Sequence, residues 1–139
     1  MTSFETRLFV NGSFVAGDGP AEPAFDPARG TVLAEVASAS AGQIDRAVET
    51  AQAAYAGWRR TTPKERSRAL LTIADRIEAE AKSLAEVESL NTGKPRRYVE
   101  AGELMNVADV FRFFATAVRN VPGIAANGYR SAAMTSVLR

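Results

Sequence analysis

Apolar and polar positions follow two different periods along this chain. Near the N-terminus, Leu8-Phe9-Val10 and Phe14-Val15-Ala16 flank Asn11-Gly12, and an Asn-Gly pair between apolar runs supplies the positive φ angles of a type I′ turn. This predicts a β-hairpin. A second, looser hairpin is expected from Ala24 to Val36, turning through Asp26-Pro27-Ala28-Arg29-Gly30. From Ser40 onward the period lengthens to that of a helix. Ser40 and Gln43 make a candidate capping box, and Ile44, Ala47, Val48, Ala51, Ala54 and Tyr55 carry an apolar stripe toward Trp58, so a helix is expected over residues 41–58. Thr62 and Glu65 repeat the box with Pro63 at the first helical position. The stripe Leu70, Ile73, Ala74, Ile77, Leu84, Val87, Leu90 then holds one face as far as Gly93, with a break admitted between Glu80 and Lys82. Gly93 suits a left-handed helix stop and Pro95 the first turn of a third helix, expected over residues 95–120. Val121-Pro122-Gly123 ends it, residues 125–128 read as a loop, and residues 129–139 read as one extended strand. No partner strand follows, so an exposed edge would remain, which leads us to expect further sequence.

Composition narrows the chemistry more than the fold. A chain of 139 residues, 46% of them hydrophobic, fits one domain and is long enough to bury roughly two thirds of its unfolded surface. Its 17 basic and 16 acidic side chains leave a net charge of +1, so no uniform field draws it toward nucleic acid or an anionic membrane. The absence of cysteine and histidine excludes disulfides, thiolate nucleophiles, most zinc sites and Ser-His-Asp catalysis within this chain. No signal-peptide pattern or membrane-length apolar run stands out, and a soluble, cytoplasmic protein is expected.

Two phosphate-binding readings fail on spacing. A Walker loop at Gly93-Lys94 would need a glycine where Glu88 stands and Ser or Thr where Pro95 stands; Gly17-Asp18-Gly19 would need a third glycine in place of Glu22. The cluster Arg59, Arg60, Lys64, Arg66 and Arg68 reads as a solvated helix start, since acidic residues lie nearby and no aromatic is interleaved. Arg96 and Arg97 stand at a helix N-terminus, where the macrodipole disfavours cations, and point to domain docking. On the third helix, Leu104, Val107, Ala108, Phe111, Ala115 and Val118 form a core face. Beside it Glu103, Asn106, Val110 and Phe113 share a mixed face. That face either lines a polar channel for a small or cationic substrate or is simply the exposed side of a helix.

Taken in order, Leu8-Phe9-Val10-Asn11-Gly12-Ser13-Phe14-Val15, Asp26-Pro27-Ala28-Arg29-Gly30, the Trp58 to Arg68 segment, Leu90-Asn91-Thr92-Gly93-Lys94-Pro95 and Asp109-Val110-Phe111-Arg112-Phe113-Phe114-Ala115 resemble the N-terminal part of NAD(P)-dependent aldehyde dehydrogenases. The last run looks most like the aminobutyraldehyde and betaine-aldehyde branch. The resemblance implies an α/β fold of which this chain holds two β-hairpins, three long helices and a terminal strand, without the Rossmann-like sheet. Residues 1–127 would belong to the coenzyme-binding domain and residues 128–139 would begin the oligomerisation hairpin. It further implies an enzyme that oxidises an aldehyde to a carboxylic acid with NAD or NADP through a cysteine thiohemiacetal. The catalytic and coenzyme-contacting residues of the family match no position here, so no catalytic residue is assigned and no coenzyme is expected to bind this chain alone. By the same resemblance Glu103 and Asn106 would line the mouth of a substrate channel, and Asn91 would stand near a monovalent-cation site. The expected partners are the rest of an aldehyde dehydrogenase chain or a homologous subunit, in a homo-oligomer. The competing reading is a non-catalytic interaction module docking on a full-length subunit.

Overall fold

The structure is a computed structural model that describes residues 4–120, 124–130 and 133–137, with side chains described over residues 4–120. Strands β1 (Leu8–Val10) and β2 (Ser13–Val15) pair antiparallel with Phe9 opposite Phe14, around Asn11 at φ 52° and Gly12 at φ 77°. The two phenyl rings meet at 5.1 Å, and the Arg7 guanidinium lies 5.2 Å from the Phe14 ring. The second hairpin is longer than the sequence pattern suggests. Strand β3 (Ala21–Phe25) begins before Ala24 and runs through Pro23, which a two-stranded ribbon accommodates because Pro can stand where no ladder N–H is needed; its partner is β4 (Val32–Ala37). Asp26 is buried beneath the turn between them. Its carboxylate accepts the Ala28 and Arg29 N–H groups at 2.8 and 3.2 Å, while the Asp26 and Gly30 N–H groups bond to the Thr31 and Asp26 carbonyls.

Helices α1 (Ala41–Trp58) and α2 (Pro63–Ala79) both start on complete capping boxes, at Ser40/Gln43 and Thr62/Glu65. The break admitted near Glu80 is real: α2 stops there, and α3 (Ala81–Thr92) continues to Gly93 in the left-handed conformation at φ 76°. The third helix departs from expectation. Pro95 is the extended N-cap rather than the first helical residue, and the helix divides into a short α4 (Arg96–Tyr98), a π turn (Val99–Glu103) and α5 (Leu104–Ala117). Simple α periodicity hides such a turn, because it inserts one residue without breaking the helix.

The core sits where α5 runs along α2, with α3, α4 and the π turn closing one end. It is built of small side chains: Ala74, Ala85, Ala108 and Ala115 are fully buried, and Val99 is the largest side chain almost wholly out of solvent. Alanines on facing helices let the backbones approach closely. Across the pair Arg112 reaches from α5 to Glu78 at 2.7 Å and Asp75 at 3.0 Å, which raises its own pKa and lowers that of Glu78.

At the C-terminal end β5 (Ile124–Arg130) and β6 (Ala133–Val137) form a third antiparallel hairpin, with Ile124 opposite Val137. Two expectations are corrected by it. Residues 125–128 lie inside β5 rather than in a loop, and the single strand expected over residues 129–139 divides, residues 129–130 finishing β5 and residues 133–137 forming β6 paired against it, so one edge of β6 is covered. Small and amide side chains obscured β5, since Ala125-Ala126-Asn127-Gly128 carries no β-branched residue. The Val121-Pro122-Gly123 break lies outside the described residues.

Burial is lighter than composition promised. The chain exposes 10791 Å², against roughly 7,000 Å² for a compact monomer of this mass. Half rather than two thirds of the unfolded surface is removed from water, on the order of the same scaling. Every residue from Ala51 to Arg60 is exposed, and the α1 stripe of Ile44, Val48 and Tyr55 faces solvent.

Candidate functional site

The corner between α3 and the π turn brings Lys94 and Glu103 together. Its centre is Lys94. Gly93 ends α3 with its N–H bonded to the Ser89 carbonyl, and Ser89 Oγ donates to the Lys94 carbonyl at 2.6 Å, so the backbone turns sharply and points the lysine back across the corner. Its ammonium donates to Glu88 Oε1 at 3.1 Å on α3 and to Glu103 Oε2 at 2.9 Å at the end of the π turn. Glu103 and then Glu88 hold the Lys94 pKa above the ordinary lysine value. A helix C-terminus presents carbonyls rather than N–H groups, which is why the Gly93-Lys94 pair cannot cradle phosphate.

Glu103 is half-buried, whereas Asn106, Val110 and Phe113 are exposed along the same side of α5. Phe114 stands edge-on to Phe113 at 5.3 Å. The sequence-predicted face therefore exists, but its only carboxylate is engaged by Lys94. Chemically this strip can bind or orient an apolar or weakly polar group; it carries no nucleophile.

Asn91, three residues along α3 from Glu88, lines a cavity of about 130 Å³ with Phe4, Glu5, Thr6, Leu33, Val36 and Val87. Glu5 there is already paired with Arg7 at 2.6 and 2.8 Å, which lowers its carboxyl pKa to about 2. A cation in this cavity would meet three side chains with oxygen ligands, Glu5, Thr6 and Asn91, fewer than the six to eight that a hard cation such as calcium takes, so other groups would have to complete its shell. Among the described residues no three His, Cys, Asp or Glu side chains gather where they could hold a metal ion.

The other candidates resolve into scaffolding. Gly17 and Gly19 lie against the end of β4, where the Gly19 N–H bonds to the Ser38 carbonyl at 2.8 Å, so the space a pyrophosphate would need is filled by backbone. Of the basic cluster, Arg66 stacks over Trp58 at 5.9 Å and donates to Thr61 Oγ1 and the Arg59 carbonyl, placing a cation at the C-terminal end of α1. Two tethers escaped sequence reasoning. Gln43, beyond its role in the box, accepts the Asp18 N–H at 2.9 Å and donates to the Ala16 carbonyl at 2.7 Å; Arg112 joins α5 to α2. Both bonds span large sequence separations and leave no local signal.

The buried Asp26 yields a pH prediction. The N–H groups of Ala28 and Arg29 and the Arg29 guanidinium hold its carboxyl below the usual value, the Ala28 bond most strongly. A depressed carboxyl pKa stabilises the fold above the unfolded value of about 4 and loses that contribution as pH falls through the folded value. The Asp26→Asn chain should be less stable than the parent at pH 7, and the gap should narrow at acid pH. Urea midpoints measured at both pH values check this; a gap that widens with acid contradicts it.

The model of the aldehyde dehydrogenase family matches residues 14–139. Aldehyde dehydrogenase family 2 member B4, mitochondrial, of Arabidopsis thaliana is 36% identical over 122 residues, which is 86% of this chain and 23% of that protein. The crystal structure of PnpE in complex with nicotinamide adenine dinucleotide superposes with a TM-score of 0.85 at 32% identity, covering 90% of this chain and 26% of that one. An indole-3-acetaldehyde dehydrogenase in apo form gives 0.85 at 28% identity, over 91% and 30%. The fold is thus the N-terminal part of the aldehyde dehydrogenase fold, a mixed α/β arrangement of strand pairs and helices. This chain belongs to the aldehyde dehydrogenase family. It spans about a quarter of the length of the curated relatives it matches. Among the described residues no helix is long and apolar enough to cross a membrane.

Proposed function

We propose that this chain serves as the N-terminal portion of an NAD(P)-dependent aldehyde dehydrogenase, framing the coenzyme-binding domain without supplying the chemistry. The observation that carries this reading is the family match over residues 14–139 in a chain that contains no cysteine. In the complete enzyme a thiolate would attack the aldehyde carbonyl, and a bound coenzyme would supply the hydride acceptor for the oxidation that precedes hydrolysis to the acid. The thiolate must come from other sequence. Backbone fills the Gly17 to Gly19 loop, and on this reading NAD or NADP is held by other elements of the complete enzyme.

On this reading residues 1–127 belong to the coenzyme-binding domain. The oligomerisation hairpin, assigned from sequence to residues 128–139, would extend back over the β5–β6 pair, in a cytoplasmic homo-oligomer. Glu103 and Asn106 line the mouth of the substrate channel, and Asn91 lends one oxygen to a monovalent cation completed by other groups. The Asp109 to Ala115 run favours the aminobutyraldehyde and betaine-aldehyde branch. The surface excess supports a chain whose apolar faces meet further protein, either the rest of its own enzyme or, in the second reading, a full-length subunit on which it docks as a module through faces such as Ile44, Val48 and Tyr55.

The purified chain, mixed with NAD or NADP and a panel of aliphatic, aromatic and amino aldehydes, should produce no reduced coenzyme. Turnover with any of them would refute the non-catalytic role.

A further inference from the structure

The buried residue that opens the π turn and the buried positions beyond the turn cannot share one face of an uninterrupted α-helix. Val99, Ala108 and Ala115 are all buried, the first at 1% exposure and the other two at zero. At 100° per residue, a continuous α-helix would put Ala108 about 180° and Ala115 about 160° around the axis from Val99. The π turn absorbs one extra residue, with the Leu104 N–H bonded to the Val99 carbonyl. This brings the same positions to within about 80° and 60°.

Both flanks of the turn are pinned independently. Upstream, Val99 is buried where α3 and the turn meet, and Lys94 bridges Glu88 on α3 to Glu103 at the last residue of the turn. Downstream, Ala108 and Ala115 are sealed and Arg112 is clipped to Asp75 and Glu78 on α2. A relaxed turn would rotate one flank against the other by about 100°.

We propose that the Val99–Glu103 turn is a one-residue register device, latched by Lys94, that fixes which face α5 turns toward α2 and which face it leaves out. Lys94 is a positioning residue in this scheme. The device goes beyond the proposed function and does not depend on what ligand the Asn106 side meets.

The test uses the 139-residue chain, whose lack of cysteine permits single-cysteine labelling. Val99→Cys, Ala108→Cys and Ala115→Cys should each resist a thiol reagent in the parent background. With Gly102 deleted, helicity by circular dichroism should persist while at least one of the three reacts about tenfold faster or more, as local exposure requires. Gly102→Ala should leave all three protected, since its Cβ would meet only the Tyr98 ring at 3.8 Å. Continued protection of all three in the deletion overturns the proposal. Should the deletion unfold the chain, Lys94→Met decides: amide exchange should rise about tenfold over residues 99–104 and stay constant in α2. Unchanged exchange in the turn overturns the latch.

Discussion

Ala108→Leu should destabilise the chain by about 3 kcal/mol, at the upper end of the usual cost of overpacking. Ala108 has no exposed surface and lies on α5 where that helix runs along α2, whose own Ala74 is equally sealed. Each additional carbon must displace a backbone or force a rotamer, because protein interiors are packed as densely as organic crystals. Arg112, one turn further along α5, makes the displacement costlier, since its bonds to Asp75 and Glu78 hold the two helices at a set distance. Urea unfolding followed by circular dichroism measures the loss. Val110→Ala on the same helix provides the contrast: its side chain is exposed, so the change should stay within about 0.5 kcal/mol. Equal effects at the two positions would refute the assigned packing face.

Gly17→Ala should cost about 2 kcal/mol or more. A Cβ at this position would lie 2.4 Å from the Ala37 carbonyl oxygen and 2.6 Å from that of Ser38. These are backbone atoms at the end of a paired strand and cannot swing aside as a side-chain tip would. The loop must move, and with it the bond from Gln43 Nε2 to the Ala16 carbonyl and that from the Gly19 N–H to Ser38. The effect should therefore reach the start of α1. Gly57→Ala tests the converse, since nothing lies within 4 Å of its Cβ and alanine is the better helix former by about 1 kcal/mol. Thermal melts of the two variants should shift in opposite directions; a shared direction contradicts the close approach at Gly17.

What was legible from sequence was local. The Asn11-Gly12 turn, the two capping boxes and the Gly93 stop are each decided by residues within four positions of one another, and each stands as expected. Long-range structure was hidden. The π turn is invisible to a 3.6-residue template because the helix before it, Arg96–Tyr98, is too short to carry a stripe whose phase could be compared with that of α5. Gln43 read as a cap and proved also to be a tether, and Arg112 read as part of a recurring family run before its bonds to α2 gave it a structural role. Strand β5 failed for the opposite reason: its composition suggests a loop, and only pairing with β6 makes it a strand. At the candidate site the Glu103 and Asn106 face could be placed from spacing, but the capture of Glu103 by Lys94, nine residues away across a helix break, could not.

The most direct test of the central claim is a chimera in which this chain replaces the matching N-terminal segment of the Arabidopsis relative, assayed for coenzyme reduction beside the isolated chain. The account predicts an active chimera and a silent chain. A chimera that folds and assembles like the parent enzyme yet reduces no coenzyme, or an isolated chain that does, would contradict it.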